Sequence, residues 1–235
     1  MCGILGISSK NSLISEHQFR ASLEMLHHRG PDNTGVIYDK ELNLALGLKR
    51  LSIIDLSANG SQPMEDQENR LQLIFNGEIY NYKEIKKSLI EKGYNFLTES
   101  DTEVLLYAFK EYGIECIQKF IGMFSFTICD RKNNEYYIVR DRLGVKPLYY
   151  SKDNDKLIFS SEVKSILKLD DKERTLDYRA VSSYFSFRYP ILDNTFFKGI
   201  HSLAPAHYIK LTPSDFEIVE YWNVAEQFKK QKDDK

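Results

Sequence analysis

Cys2 is the residue of this chain best placed to act as a nucleophile. It stands between Met1 and Gly3, and an initiator methionine before a small residue is ordinarily removed. Removal leaves Cys2 with a thiol and a free α-amino group on the same carbon. An α-amine titrates at about 7.7–8.0, so one residue would supply both the attacking atom and the general base. A cysteine that opens an apolar strand can equally be structural, and the other motifs decide between the two.

Further polar motifs combine Arg, Asn, Gly, Asp and Pro with apolar residues. Taken singly, each has an ordinary structural interpretation. Asn76-Gly77 is typical of a hairpin turn, Asp101 suits the first turn of a helix, and Arg50 suits a surface ion pair. The motifs are Arg29-Gly30-Pro31-Asp32, Arg50-Leu51-Ser52-Ile53-Ile54-Asp55, Asn76-Gly77-Glu78-Ile79-Tyr80-Asn81, Ser100-Asp101-Thr102-Glu103, Arg140-Asp141-Arg142-Leu143-Gly144-Val145-Lys146-Pro147-Leu148-Tyr149-Tyr150, and Phe159-Ser160-Ser161-Glu162.

Together with the Cys2 start, this ordered set closely resembles the glutaminase domain of glutamine-dependent asparagine synthetases. Those domains are class II glutamine amidotransferases, within the N-terminal-nucleophile hydrolases. The resemblance runs from Cys2 to Trp222 and includes residues 197–200 and 205–208. It implies hydrolysis of L-glutamine to glutamate and ammonia through a thioester on Cys2.

The resemblance also implies which residues would handle glutamine. Asn76 can offer its side-chain amide, and Gly77 its backbone N–H, to the oxyanion formed at the scissile amide. The missing Cβ of Gly77 would let the backbone approach the substrate. Arg50 offers a planar fork for the α-carboxylate. The residues that line the glutamine pocket by resemblance are Arg50, Leu51, Ser52, Ile53, Ile54, Asn76, Gly77, Glu78 and Asp101.

Two motifs and two histidines are interpreted as scaffold. Residues 29–32 and 140–147 mix charge, Gly and Pro, which favours loops braced by ion pairs around the site. His27 and His28 are adjacent, not at metal-ligand spacing, and suit the end of a helix. No metal site is expected in this chain.

Composition narrows the class of protein. The 235 residues carry a net charge of −2, which argues against nucleic acid or an anionic membrane as the main partner. Three cysteines at scattered positions fit a reducing compartment better than a disulfide framework. There is no basic, apolar leader and no apolar run of membrane-spanning length. A cytoplasmic protein is the expectation.

Periodicity predicts the elements that must position these residues. Ser15 with Gln18, and Ser100 with Glu103, form capping-box patterns before two helices, and Asn81 can cap a third that ends at Gly93. The near-continuous apolar run 120–129 is typical of a strand covered on both faces. The expected helices are 16–27, 82–92, 101–112, 162–168 and 178–187, and the expected strands are 2–7, 43–54, 71–80, 120–129, 136–139, 148–151, 156–159, 207–211 and 217–221.

These elements favour an α+β fold. Two mainly antiparallel sheets with helices outside them, a four-layer αββα sandwich of the N-terminal-nucleophile hydrolase type, would bury the apolar residues. Residues 2–222 are expected to form the class II glutamine amidotransferase domain. Residues 223–235 are expected to be a polar tail or the start of a linker, with 229–235 solvated or disordered.

The resemblance places ammonia use in a second, synthetase domain that this chain does not contain. There, ATP and Mg would serve aspartate activation, and no cofactor is expected in the present chain. A synthetase domain or subunit is the expected partner, and a homodimer is left open. Two alternatives remain: a glutaminase that feeds a different amidation, of a sugar or another carboxylate, and a catalytically idle domain kept for binding or regulation.

Overall fold

The computed structural model describes residues 1–11, 14–52, 60–170, 172–173 and 175–233, without the side chains of 230–233. Within these residues the chain forms two six-stranded antiparallel sheets and flanking helices. The strands are β1 (Gly3–Ser9), β2 (Asn33–Asp39), β3 (Leu44–Arg50), β4 (Met64–Glu65), β5 (Leu71–Ile79), β6 (Gly122–Asp130), β7 (Glu135–Arg140), β8 (Tyr149–Lys152), β9 (Lys156–Ser160), β10 (His201–Ser202), β11 (His207–Leu211) and β12 (Phe216–Glu220). The α-helices are α1 (Glu16–Glu24), α2 (Tyr82–Glu91), α3 (Asp101–Tyr112), α4 (Val163–Leu169), α5 (Tyr178–Phe187) and α6 (Val224–Asp233).

A motif-bearing strand lies inside each sheet, with a partner strand on either side. The first sheet has the order β10-β8-β9-β1-β3-β2, so β1, which follows Cys2, lies between β9 and β3. The second has the order β12-β11-β7-β6-β5-β4, and β5 carries Asn76 and Gly77. The register of β1 with β3 pairs Gly3 with Lys49, which brings the start of β1 beside the end of β3.

Three apolar clusters define the layers. Ile4 and Leu46 of the first sheet pack with Ile74 and Ile138 of the second, between the sheets. A second cluster packs helices α1 and α4 on the outer face of the first sheet. A third packs α2 and α3 on the outer face of the second. Each fully buried large apolar side chain contributes about 1.5–3 kcal/mol. The predicted α+β, four-layer αββα sandwich is confirmed.

The apolar run 120–129 behaves as predicted. Phe124, Phe126 and Ile128 point from β6 toward the helices of the second sheet. Ser125, Thr127 and Cys129 alternate with them and are equally buried, because the first sheet covers that face.

The helix caps agree with the sequence only in part. Ser15 accepts from the N–H of Gln18 at 3.2 Å, as a capping residue does, but α1 ends at Glu24 and a 3₁₀ turn follows. Asn81 precedes α2, yet its side chain bonds the backbone of Lys119 and Ile121 instead of capping. The predicted cap was wrong because the Asn81 side chain already bonds these two backbone groups.

The Ser100 box is also different from the prediction. Ser100 accepts from the N–H of Thr102 at 3.0 Å. The Glu103 carboxylate does not return to Ser100 but accepts from the N–H groups of Leu97 and Thr98. Glu103 therefore fixes the chain that leads into α3, five to six residues upstream.

Several elements were not predicted. Strand β2 opens with exposed Asn33 and Thr34, so it lacks an alternating apolar pattern. The strand expected over 43–54 ends at Arg50, since Leu51 and Ser52 bond elsewhere, and residues 53–54 lie outside the described part of the chain. Helix α6 arises in a charged segment and enters the stretch 229–235. Among the described residues, no helix combines the length and apolarity needed to cross a bilayer.

Candidate active site

Cys2 lies just before β1 and is held from two sides. Its Sγ accepts a hydrogen bond from the backbone N–H of Leu51 at 3.4 Å. Its carbonyl oxygen accepts from Nε of Arg29 at 3.0 Å. The side chain is partly buried, so the sulfur is accessible from the cleft while its backbone is fixed.

Burial and nearby polar or positive groups have opposite effects on the pKa of the Cys2 thiol. Burial raises the pKa of the Cys2 thiol, while the Leu51 N–H, the amino terminus, Arg50 and Lys146 all act to lower that pKa. Burial wins, so the thiol holds its proton in the free protein. A base is therefore needed before the sulfur can attack.

Residues 29–32 brace Cys2 and the segment that follows Arg50. The Arg29 guanidinium, almost fully buried, pairs with Glu162 at 3.0 Å. The Asp32 carboxylate accepts from the N–H of Ser52 at 2.8 Å. A Cβ on Gly30 would lie 2.2 Å from the carbonyl oxygen of Lys49, so only glycine fits there. The expected scaffold role of this motif agrees with these contacts.

Beyond its short pairing with β4, strand β5 presents a row of backbone N–H groups along the edge away from β6. The N–H of Phe75 bonds the side-chain oxygen of Gln62 at 2.7 Å, and that of Ile79 bonds Asp101 at 3.0 Å. Alternate residues of a strand point their N–H groups to the same edge. The N–H of Gly77 therefore lies between these two donors and faces the cleft.

Asn76 and Gly77 are fixed by strand β6. Asn76 is buried, and its amide nitrogen lies 3.5 Å from the hydroxyl of Ser125. A Cβ on Gly77 would lie 2.3 Å from the carbonyl oxygen of Met123. The prediction that the missing Cβ also lets the backbone approach the substrate stays a prediction. Glycine is required because the two strands approach closely at a non-hydrogen-bonded pair.

Asp101 is a buried carboxylate at the first residue of α3. It is 4% exposed, and burial raises its pKa to about 6 against the opposing effect of the Ile79 N–H. The charge of Glu78 raises that pKa further. The two carboxylates therefore form a negative wall of the cleft, and a cation placed between them would relieve their repulsion.

Residues 140–147 form a loop held by its own charged side chains. The Arg140 guanidinium donates to the carbonyl oxygens of Gly144 and Lys146. The Asp141 carboxylate accepts four backbone hydrogen bonds, from the N–H groups of Phe124, Leu143, Val145 and Lys146. This loop carries Lys146 to the wall of the cleft beside Cys2, a position that the sequence interpretation as scaffold missed.

These elements enclose a cleft of ≈ 270 Å³. Seven predicted site residues line it: Cys2, Arg50, Leu51, Asn76, Gly77, Glu78 and Asp101. Ser52 lies in the adjoining loop, and Ile53 and Ile54 fall outside the described residues. Lining residues that were not predicted include Gln62, Thr102, Met123, Val145 and Lys146. A larger cavity, ≈ 580 Å³, lies at the opposite end of the sheets among the turns 41–43, 152–157 and 211–216, and contains none of the predicted residues.

The two-sheet sandwich with helices on its outer faces also occurs in a solved glutamine amidotransferase. Glutamine phosphoribosylpyrophosphate amidotransferase from B. subtilis, solved with ADP and GMP, superposes with a TM-score of 0.70 at 19% identity, over 94% of this chain and 49% of that one. This likeness concerns the fold. Residues 1–222 match the family described as glutamine amidotransferase domain, and the chain belongs to that family.

Curated relatives of similar sequence are longer proteins. Asparagine synthetase [glutamine-hydrolyzing] 1 of Bacillus subtilis is 37% identical over 217 residues, which are 91% of this chain and 34% of that protein. Putative asparagine synthetase [glutamine-hydrolyzing] 2 of Methanocaldococcus jannaschii is 38% identical over 83% of this chain and 42% of its own length. Amidase chry2 of Gibberella zeae is 33% identical over 92% of this chain and 32% of its own length. The chain thus spans about a third of the length of the first of these relatives.

Proposed function

We propose that this chain hydrolyses L-glutamine to glutamate and ammonia through a thioester on Cys2. We further propose that the ammonia serves ATP-dependent asparagine synthesis from aspartate in a synthetase domain or subunit. One observation carries the proposal: a single cleft brings the Cys2 sulfur together with charges of both signs and with two hydrogen-bond donors that suit a glutamine molecule.

The cleft offers a residue of opposite charge to each charged end of the amino-acid group of glutamine. Arg50 can take the α-carboxylate with its two-pronged guanidinium. Asp101 and Glu78 can take the α-ammonium, which would also compensate two neighbouring negative charges. Backbone groups of Leu51 and Ser52, with Ile53 and Ile54, would complete the pocket next to Arg50. These contacts would hold the side-chain amide over the sulfur of Cys2.

The oxyanion would be met by Asn76 and Gly77. The Asn76 side-chain amide and the Gly77 N–H come from adjacent residues of one rigid strand. Donors that are fixed before the reaction stabilise developing charge without reorganisation, and each is typically responsible for about 10²–10³ in rate.

The reaction then runs in two steps. The Cys2 sulfur attacks the side-chain carbonyl carbon, a C–S bond forms, and the carbonyl electrons move to oxygen. Collapse of this intermediate breaks the C–N bond, and the nitrogen leaves as ammonia with a proton returned by the base. Water attacks the thioester through a second oxyanion, releasing glutamate and restoring the thiol.

The base would be the α-amine of Cys2 after removal of Met1. With Met1 in place, as in this structure, the nitrogen of Cys2 belongs to a peptide bond and cannot accept a proton. Intact-mass measurement of active material should therefore show loss of one methionine. Full glutaminase activity of a sample that retains Met1 would contradict this assignment.

A coupled assay tests the function as a whole. Purified chain is incubated with glutamine, and glutamate and ammonia are quantified beside the Cys2→Ala variant. Equal amounts of the two products, absent with the variant, support the proposal. Absence of turnover by the processed chain would favour the idle, regulatory alternative. Transfer of the ammonia to a sugar or another carboxylate would show that aspartate is not the acceptor, and would leave the proposed glutamine hydrolysis unchanged.

A further inference from the structure

Lys146 has surroundings that are unusual for a lysine. Its residue is only 4% exposed, and its side chain lines the same cleft as Cys2. Lysine is almost never buried to this degree unless its ammonium is paired. The burial of Lys146 therefore indicates a role in the cleft.

Among the described residues, no carboxylate or other acceptor bonds the Lys146 ammonium. Two other lysines with limited exposure, the buried Lys49 and the partly buried Lys110, both have acidic partners. Lys49 pairs with Glu24, and Lys110 pairs with Asp66 at 3.0 Å and with Glu68 at 2.9 Å. Lys146 thus keeps a free positive charge that faces the cleft.

The loop that presents Lys146 is fixed on both sides of its backbone. Its N–H donates to Asp141 at 2.9 Å, and its carbonyl oxygen accepts from Arg140 at 2.9 Å. Asp141 is itself almost fully buried. These bonds fix the backbone from which the Lys146 side chain extends at the edge of the cleft.

The charges that face Cys2 show what a free ammonium would do there. Arg50, Lys146 and the amino terminus supply positive charge to the sulfur, and Glu78 and Asp101 bring negative charge to the same cleft. Glutamine would neutralise most of these in pairs, its carboxylate with Arg50 and its ammonium with the two acids. Lys146 would remain uncompensated when the sulfur must become negative.

We propose that Lys146 is a positioning residue that stabilises the thiolate of Cys2 while the sulfur attacks. The role in turnover rests on the proposed glutaminase function, but the effect on the sulfur does not require glutamine. It can therefore be measured with a small alkylating agent, and its failure is distinguishable from failure of the proposed function.

The test follows the rate at which iodoacetamide alkylates Cys2 between pH 6 and pH 10. The variants are Lys146→Met, Lys146→Gln and Lys146→Arg, with Lys87→Met as a matched loss of one exposed lysine on α2. Cys116 and Cys129 are buried, so their protection from reagent reports that each variant is folded. Mass spectrometry assigns the modified residue.

We expect the neutral variants to shift the alkylation profile upward by about one pH unit, which slows alkylation about tenfold at pH 7. Lys146→Arg and Lys87→Met should stay within about threefold of the parent. In the glutaminase assay, kcat should fall about tenfold in the neutral variants, with little change in KM.

Three results would overturn the proposal. One is an alkylation profile of Lys146→Met or Lys146→Gln that superposes on the parent. Another is a raised KM with unchanged alkylation, which would make Lys146 a substrate ligand. The third is loss of Cys116 and Cys129 protection in both neutral variants but not in Lys146→Arg. That result would mean that the charge of Lys146 stabilises the fold.

Discussion

The backbone N–H of Leu51 donates to the sulfur of Cys2 over 3.4 Å, although 49 positions separate the two residues. The bond exists because β1 and β3 pair in a register that sets Gly3 opposite Lys49. The same register places Arg50, next in β3, at the wall of the cleft. One strand pairing therefore fixes both the proposed nucleophile and the proposed carboxylate ligand, and a slip of one residue would turn Arg50 to the other face.

Cys2→Ala should abolish glutamine hydrolysis, with a loss of more than about 10³-fold. The fold should persist, because Cys2 precedes the first strand and is only partly buried. Product assays and thermal melting check both statements. Glutamate release at the parental rate would remove Cys2 from the mechanism.

Asn76→Ala should lower kcat by about 10²–10³ with little change in KM, since the amide acts on the oxyanion and not on the bound substrate. Ser125→Ala is the control, because Ser125 contacts Asn76 from β6 and can only orient it. Steady-state kinetics of the two variants separate donation from positioning. Equal losses in both would mean that the Asn76 amide serves strand packing alone.

Arg50→Lys keeps the charge but loses the planar fork that matches a carboxylate. We expect kcat/KM for glutamine to fall by an amount corresponding to roughly 1.5–3 kcal/mol. Iodoacetamide alkylation of Cys2 should barely change. Lys49→Arg, one position earlier in the same strand, should leave kcat/KM within about threefold; parental kinetics for Arg50→Lys would move the carboxylate site elsewhere.

Asp101 should make activity sensitive to acid. Because burial raises its pKa to about 6, the free protein loses this negative charge as pH falls through 6. Protonation of the α-amine of Cys2 already lowers kcat/KM for glutamine below about pH 8. We expect an additional, steeper decline below pH 6, and Asp101→Asn to have low kcat/KM at every pH without this second inflection. A parental profile with a single inflection, from the α-amine alone, would show that Asp101 is not the ammonium ligand.

The same carboxylate should reduce stability at neutral pH. Its folded-state pKa lies above the ordinary value of 3.8, so the favourable contribution is complete below pH 3.8 and is lost as pH rises through 6. Asp101→Asn keeps an acceptor for the Ile79 N–H and removes the buried charge. We expect it to gain roughly 1–3 kcal/mol in the free energy of unfolding at pH 7, and little at pH 4; urea titrations at both values decide.

Much of the architecture could be predicted from local pattern. The apolar run that became β6, the helical face of α3 and the cap at Ser15 follow from side-chain periodicity and nearby hydrogen bonds. Strand β2 could not be predicted, because its burial depends on partners supplied by β3. Asn81 shows the same limit, since its partners lie 38 and 40 positions away.

Part of the site could likewise be predicted from the sequence, and part could not. Motif resemblance nominated Cys2, Arg50, Asn76 and Asp101, and the fold gathers them in one cleft. Lys146 could not be predicted as a site residue from the sequence. Its proposed role depends on the lack of an acidic partner among the described residues, which only the three-dimensional arrangement reveals.

Attack of Cys2 on a glutamine held by this cleft can be tested directly by covalent labelling. The processed chain is treated with a glutamine analogue whose amide is replaced by a diazomethyl ketone, and the modified residue is mapped by mass spectrometry. We expect one adduct per chain, on Cys2, slowed by excess glutamine and greatly slowed in Arg50→Lys. An adduct on another residue, or no adduct in a chain that still hydrolyses glutamine, would contradict it.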